Sequence, residues 1–362
     1  MKVAVLGCGT VGGGVVSILR NGVDGLELKK ILDKRDRFNP EFIDLFTDNA
    51  DEIFSDPEIE TVVETMGGHD FSYSCIKRAL EAGKNVVTAN KEVIALHLKE
   101  LSALAEEKGS YLMYEASVGG GMPILKTFSN LAKVNDTLSV SGILNGTTNY
   151  ILTKMQKDGL SYSDALKGAQ QNGFAEADPT ADVEGLDMLR KIAIISMLLF
   201  KQEVSINDIY HFGITGVSEK FIDFVGKMGY TLKFMCFAEN GENEIGIGVE
   251  PVLVKTGGVT AGVSYETNVV KVGMVPNDEL LFIGKGAGRM PTATAIVSDI
   301  VTIRDGGEKM VFTDKFDKKV GLPNTVVSAV VEDEKGIRFI EKANSADIRG
   351  AGYKFYARVL EK

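Results

Sequence analysis

The sequence predicts an α/β protein that begins with a doubly wound parallel sheet and continues into an α+β domain. Three observations carry this. Short apolar runs alternate with helix-like stretches through the first third of the chain. Gly7-x-Gly9-x-x-Gly12 stands where the first run gives way to the first helix. From about residue 143 helices follow one another, and only then do strand-like runs return. Alternation implies parallel strands joined by right-handed crossovers; helices followed by strands imply helices packed on one face of a largely antiparallel sheet.

The elements can be taken in order. Strands are expected at residues 3–7, 28–32, 61–66, 85–88 and 111–116, each rich in Val, Ile or Tyr and ended by a turn. The best early helix is 92–108: Val93, Leu96, Leu101, Leu104 and Ala105 share a face, and Gly109 stands where a left-handed stop is wanted. In the second part helices are expected at 147–157, at 161–171 behind a Ser161-x-x-Asp164 capping box, and at 183–200 with Asp182 as cap. Strands follow at 231–237, 244–249, 264–272 and 279–283, and a helix with Pro291 in its first turn runs to about residue 303. Past residue 306 the chain is polar and turn-rich, with strand-like runs at 326–331 and 355–360. This divides the chain into a dinucleotide-binding domain (1–130, with 286–305 packing back on it), a substrate and dimerisation domain (131–285), and an extension (306–362) of open structure.

Composition excludes several classes. With 362 residues, 44% hydrophobic and 25% charged, the chain can bury a core in each of two or three domains. A net charge of −10 and the lack of a Lys/Arg cluster argue against a nucleic-acid partner. The longest apolar run, 192–200, falls far short of the roughly 20 residues a bilayer requires, and the strand-like start leaves no room for a signal peptide. A cytoplasmic location is expected. Cys8, Cys75 and Cys236 are too few and too scattered for a disulfide framework, and with three histidines they argue against a structural or catalytic zinc.

The glycine motif has the strand–turn–helix context that a dinucleotide site needs. Gly7 permits the tight turn, Gly9 lets the backbone approach a pyrophosphate, Gly12 allows close helix–strand packing, and the helix N-terminus offers free N–H groups. Near the end of the second strand stands Asp33-Lys34-Arg35-Asp36-Arg37. Asp33 suits an NAD ribose, whereas Lys34, Arg35 and Arg37 suit a 2'-phosphate, so NADP or NAD stays open with a lean to NADP or dual use.

The densest chemistry lies between Glu176 and Lys191. Asp187 and Lys191 are one turn apart, acid first, on the face of one helix. By spacing alone such a pair is as readily a surface ion pair as a catalytic one. Three further segments raise the functional reading: Thr88-Ala89-Asn90-Lys91 at the end of a parallel strand, the glycine-rich Glu115 to Pro123 after the next, and Asn145-Gly146-Thr147-Thr148-Asn149-Tyr150 at the domain junction.

Together the GxGTVG start, TANK, EASVGGGMP, NGTTNYIL, the 176–191 stretch and GKGAG with Pro291-Thr292-Ala293 resemble homoserine dehydrogenase, in that family's order across residues 1 to about 303. The resemblance implies reversible reduction of L-aspartate 4-semialdehyde to L-homoserine with NADPH or NADH, in the route to threonine, methionine and isoleucine, by a homodimer. It implies Lys191 as proton donor with Asp187 as its partner, Lys91 serving cofactor and substrate, and Glu176 and Asp182 on the substrate side. It implies cofactor contacts at Gly7, Gly9, Thr10, Val11, Gly12, Lys34, Arg35, Thr65, Lys91 and Gly288. A monovalent cation, Na+ or K+, is implied at Glu115, Val118, Gly120 and Met122, mainly through backbone carbonyls. The chemistry is coherent: hydride arriving at an aldehyde carbon builds negative charge on oxygen, which a lysine both stabilises and protonates.

The roughly 57 residues past Asp305 are too few for the full ACT domain of longer relatives. Two rivals remain. A phosphorylating semialdehyde dehydrogenase needs a cysteine nucleophile beside a base, and none of the three cysteines has that setting. A non-catalytic dinucleotide sensor would not need Lys191, Asp187 and Glu176.

Overall fold

The structure is a computed structural model that describes residues 1–322 and 325–360. The chain forms two compact units. The first comprises Met1–Val134, Met197–Glu203 and Ala287–Phe316; the second comprises Asn135–Ser196, Val204–Gly286 and the chain from Asp317.

The first unit is built on six parallel strands, β1 (Lys2–Leu6), β2 (Glu27–Leu32), β3 (Phe46–Thr47), β4 (Ile59–Glu64), β5 (Asn85–Thr88) and β6 (Leu112–Met113), in the order β3-β2-β1-β4-β5-β6. This is the doubly wound order, and its direction reverses between β1 and β4. Val3, Ala4, Val5 and Leu6 are fully buried, as expected for a central strand covered on both faces. Two strands are shorter or earlier than the sequence suggests, and a buried carboxylate is the reason each time. Glu64 accepts from the Met66 N–H at 2.8 Å and the Thr88 hydroxyl at 2.7 Å, which turns the chain out of the sheet before residue 65. Glu115 accepts from the N–H groups of Leu125 and Lys126, each at 2.8 Å, and folds what was expected as the end of a strand into the 3-10 turn Glu115–Ser117.

Helix Lys91–Glu107 starts behind Asn90, whose side chain accepts from the Val93 N–H at 3.2 Å, and stops before Gly109 at φ +69°. Helices Asp51–Phe54 and Asp70–Glu81 fill two of the connections that strand–helix alternation implies, and Cys75 lies inside the second. Helix Arg289–Arg304 returns late in the chain to pack on helix Thr10–Arg20. Gly14 makes that approach possible, since a Cβ there would lie 2.9 Å from the Ala293 methyl.

The second unit carries the other sheet: β7 (Asp136–Ile143), β8 (Tyr210–His211), β9 (Tyr230–Asn240), β10 (Glu244–Lys255), β11 (Thr267–Val275), β12 (Asp278–Lys285), β13 (Lys319–Gly321), β14 (Val326–Asp333), β15 (Gly336–Asn344) and β16 (Phe355–Val359). Their order is β12-β11-β7-β9-β10-β16-β14-β15, with β8 and β13 also pairing β10. The pairing is antiparallel except where β10 meets β8, β13 and β16. From Lys319 on, the region whose structure the sequence left open extends this sheet, whereas the chain up to Phe316 stays with the first unit. Ala329, Val330, Val331, Phe355 and Ala357 are fully buried there.

One helix expectation is corrected. Instead of a single helix over 183–200 capped by Asp182, there is a short turn of helix, Thr180–Val183, and then Leu186–Phe200. Gly185 at φ +88° separates them, and a Cβ there would sit 2.9 Å from Phe234 Cζ and Val249 Cγ1. Asp182 thus lies inside the first helix. Among the described residues no helix is long and apolar enough to cross a membrane.

Candidate active site

In the first unit the glycine turn leaves the C-terminal end of β1 beside the point where strand order reverses. Gly7 takes φ +90°. A Cβ on Gly12 would come 1.8 Å from the Gly7 carbonyl oxygen and 2.5 Å from Thr65 Oγ1, so only glycine lets the helix start there. Thr65 Oγ1 donates to the carbonyls of Leu6 at 3.1 Å and Gly7 at 2.8 Å, which locks the turn to β4. Gly9 is different: a Cβ there would meet nothing within 4 Å. As N-cap it also has no side chain to satisfy the first-turn N–H groups of Thr10–Arg20, so these remain for an anion.

A cavity of about 710 Å³ opens at this turn, lined in part by Cys8, Gly9, Thr10, Arg20, Phe42 and Arg289. Asp33 is already engaged, accepting from the N–H groups of Cys8 at 2.6 Å and Lys34 at 2.8 Å. Arg35 pairs with Asp48. Neither Lys34 nor Arg35 lines the cavity. Lys91 is the first residue of its helix, next to Asn90, whose amide ties the loop at the Gly68 carbonyl at 2.7 Å.

In the second unit the predicted acid–lysine pair is buried, with Asp187 7% and Lys191 9% exposed. Lys191 Nζ donates to Asp187 Oδ2 at 2.7 Å and to the Leu144 carbonyl at 2.7 Å. An ammonium has three donors, so among the described residues one is left unused. Asn145 completes the arrangement; the sequence singled out its segment but assigned this residue no role. Its amide donates to Asp182 at 2.7 Å and Asp187 at 2.9 Å, while its carbonyl oxygen accepts from the Thr148 N–H at 2.9 Å and so caps helix Gly146–Asp158. An Asn before Gly-Thr-Thr reads as a helix cap; nothing local signals that the other half of its amide holds two distant acids. Burial pushes the Asp182 carboxyl above its usual range; the Asn145 hydrogen bond opposes this and the Asp187 charge adds to it.

Glu176 is exposed in the loop between Tyr162–Gln171 and Thr180–Val183, outside the Lys191–Asp187–Asn145–Asp182 group, and its backbone carbonyl accepts from the Gln170 amide at 3.1 Å. Among the described residues no cluster of three or more His, Cys, Asp or Glu side chains could hold a metal. The three cysteines are free, and burial raises each thiol, Cys75 to about 11 and Cys236 to about 12. Neutral thiols are poor nucleophiles, which removes the support for the rival that needs a cysteine nucleophile.

The second unit by itself carries a buried lysine with a donor to spare, and the doubly wound sheet with its open glycine turn defines a class, a protein that binds a nicotinamide dinucleotide. Comparison with known proteins specifies it. Residues 7–115 match the family model of the homoserine dehydrogenase NAD-binding domain, and residues 123–301 match that of homoserine dehydrogenase. The homoserine dehydrogenase of Bacillus subtilis is 40% identical over 315 residues, covering 84% of this chain and 72% of that protein. That of Synechocystis is 39% identical over 319 residues, covering 84% and 73%. The crystal structure of homoserine dehydrogenase from Thiobacillus denitrificans superposes with a TM-score of 0.91 at 28% identity, covering 100% of this chain and 98% of that one. That of S. aureus superposes at 0.83 and 31%, covering 100% and 99%. A hyperthermophilic archaeal homoserine dehydrogenase in complex with NADPH shares the fold, with a TM-score of 0.73 and 22% identity, covering 85% and 99%. The chain belongs to the homoserine dehydrogenase family.

Proposed function

We propose that the chain catalyses the reversible reduction of L-aspartate 4-semialdehyde to L-homoserine with NADPH or NADH, and that Lys191 is the proton donor. The observation that carries this is the buried Lys191 ammonium, fixed by Asp187 and the Leu144 carbonyl with a donor to spare. Held by its pyrophosphate at the Gly7–Gly12 turn, the reduced dinucleotide would supply the hydride. As charge grows on the aldehyde oxygen, Lys191 stabilises it and then gives up a proton from Nζ; in the reverse direction it takes the hydroxyl proton. Asp187 and the Leu144 carbonyl hold that ammonium in one orientation. Glu176 is the carboxylate for the substrate's ammonium group, Asp182, positioned by Asn145, is a second acid on the substrate side, and Lys91 serves substrate and cofactor. Thr10, Val11, Thr65 and Gly288 complete the cofactor contacts around the glycine turn.

The Glu115–Met122 loop suits a carbonyl-held Na+ or K+ in one respect. Gly119 at φ +77° and Gly120 at φ +57° turn it sharply, and among the described residues the carbonyls of Val118 and Gly120 accept no backbone hydrogen bond. The Met122 carbonyl accepts from Ile124 and that of Glu115 from Val118, each keeping a second lone pair. The Glu115 carboxylate itself is spent on the Leu125 and Lys126 amides, so any cation role it has is through its backbone. The free thiols support a cytoplasmic enzyme of threonine, methionine and isoleucine biosynthesis, which we expect to act as a homodimer.

The test is direct. Purified protein mixed with L-homoserine and NADP+ or NAD+ at alkaline pH should generate the absorbance of the reduced cofactor. No turnover with either would sink the proposal.

A further inference from the structure

The glycine turn carries two more glycines than a dinucleotide fingerprint needs. Gly13 and Gly14 follow Gly12, and both face helix Arg289–Arg304. A Cβ on Gly14 would come 3.1 Å from the Arg289 carbonyl oxygen and 3.3 Å from Arg289 Cγ; one on Gly13 would come 3.7 Å from Arg289 Nη2. The missing side chains therefore leave room for one particular residue. Gly288, at φ +126°, turns the chain so that this residue is the first of its helix.

The Arg289 guanidinium donates to the Gly13 carbonyl at 3.3 Å and among the described residues makes no ion pair. It lines the 710 Å³ cavity together with Gly9 and Thr10, the residues at the anion-accepting start of helix Thr10–Arg20. Its positive charge also acts on the Cys8 thiol in the turn itself. The other cation on the cavity wall, Arg20, is stacked over the Phe42 ring with Cζ 4.2 Å from the centroid. The basic residues that sequence favours for this task are placed otherwise: Arg35 is paired with Asp48, and neither it nor Lys34 reaches the cavity. In a chain of net charge −10, an anionic cofactor needs a local cation at its phosphates. A guanidinium presents a planar fork of donors that fits phosphate oxygens two at a time.

The geometry points to Arg289 as a positioning residue for the dinucleotide: a guanidinium delivered from the far end of the first unit that grips a cofactor phosphate at the glycine turn. This rests on the dinucleotide reading of that turn. Two phosphate sources share the chemistry, the pyrophosphate common to both dinucleotides and the 2'-phosphate of NADP alone.

Isothermal titration calorimetry with NADP+ and NAD+ separates the outcomes. Arg289→Ala should weaken binding about tenfold or more, the size of one charge-assisted contact, with Arg289→Lys in between. An equal loss for both dinucleotides assigns the pyrophosphate; a loss confined to NADP+ assigns the 2'-phosphate. In turnover, KM for the dinucleotide should rise while kcat at saturation and KM for homoserine hold, a split that a mere packing role would not produce. Should Arg289→Ala not fold, Arg289→Gln keeps the length without the charge and decides the matter. Unchanged affinity of the variant for both dinucleotides, where the wild type binds, overturns the proposal. A wild type that binds neither dinucleotide overturns the reading on which it rests.

Discussion

The Lys191 ammonium lies 2.7 Å from Asp187 one helical turn before it, and the two side chains are 11% and 9% exposed. A surface pair at this spacing contributes only a few tenths of a kcal/mol. Here burial changes the arithmetic, because removing one partner leaves the other's charge buried without its counter-ion, at about 3–5 kcal/mol.

Lys191→Ala should therefore do two things. Turnover should fall by about a hundredfold or more, the usual worth of a positioned proton donor, and the melting temperature should drop. Dinucleotide affinity should persist, since the glycine turn belongs to the other unit. Paired with Asp187→Asn, the lysine variant should recover stability but no activity. Steady-state kinetics and thermal melts check both; near-normal turnover of Lys191→Ala would refute its role.

Asn145 should prove as important as the residues it holds. Its amide is the shared donor of Asp182 and Asp187, so Asn145→Ala leaves both acids short of a bond in a buried setting, at about 1–3 kcal/mol. Asn145→Asp should be worse than alanine, because it sets a third carboxylate against the other two. Equal melting temperatures for the wild type and both variants would contradict this.

Two glycines of the same turn should behave oppositely. Gly9→Ala meets open space, so it should melt with the wild type while its affinity for the dinucleotide falls. Gly12→Ala drives a methyl into the Gly7 carbonyl and should lower the melting temperature of the first unit itself. Melts with and without cofactor separate the two.

Asp299 should make stability depend on pH. It is fully buried, and burial raises its carboxyl to about 7; Lys126, 3.1 Å away, opposes this, while Glu115 adds to it. A folded pKa above the unfolded value of 3.8 means the native state holds its proton more tightly. The penalty is absent below about pH 4, grows as pH rises through about 7, and is complete above that. Asp299→Asn, which can still accept from the Glu115 N–H, should raise the melting temperature at pH 8 more than at pH 5. An equal shift at both would disprove it.

Local patterns were legible where the reason for them is local. Lys191 and Asp187 lie four residues apart, and helix geometry alone brings them together. The Ser161 cap, the Gly109 stop and the parallel strands of the first unit follow equally from short-range rules. Strand ends misled where a carboxylate that looked like part of a strand or loop turned inward, as at Glu64 and Glu115, because burial of a single side chain is not written in periodicity. The break at Gly185 was missed because an apolar helix pattern runs straight across it, and the reason it breaks, Phe234 and Val249, lies on β9 and β10.

The sequence by itself determined that a strand, the Gly7–Gly12 turn and a helix follow one another as a dinucleotide site requires, and that an acid–lysine pair shares a helix, since both depend on spacings of a few residues. Only the tertiary structure decided what surrounds them. Asn145 reaches Asp187 across 42 residues and Arg289 reaches Gly13 across 276. Contacts of that span are set by how sheets and helices pack, which no short window of sequence contains.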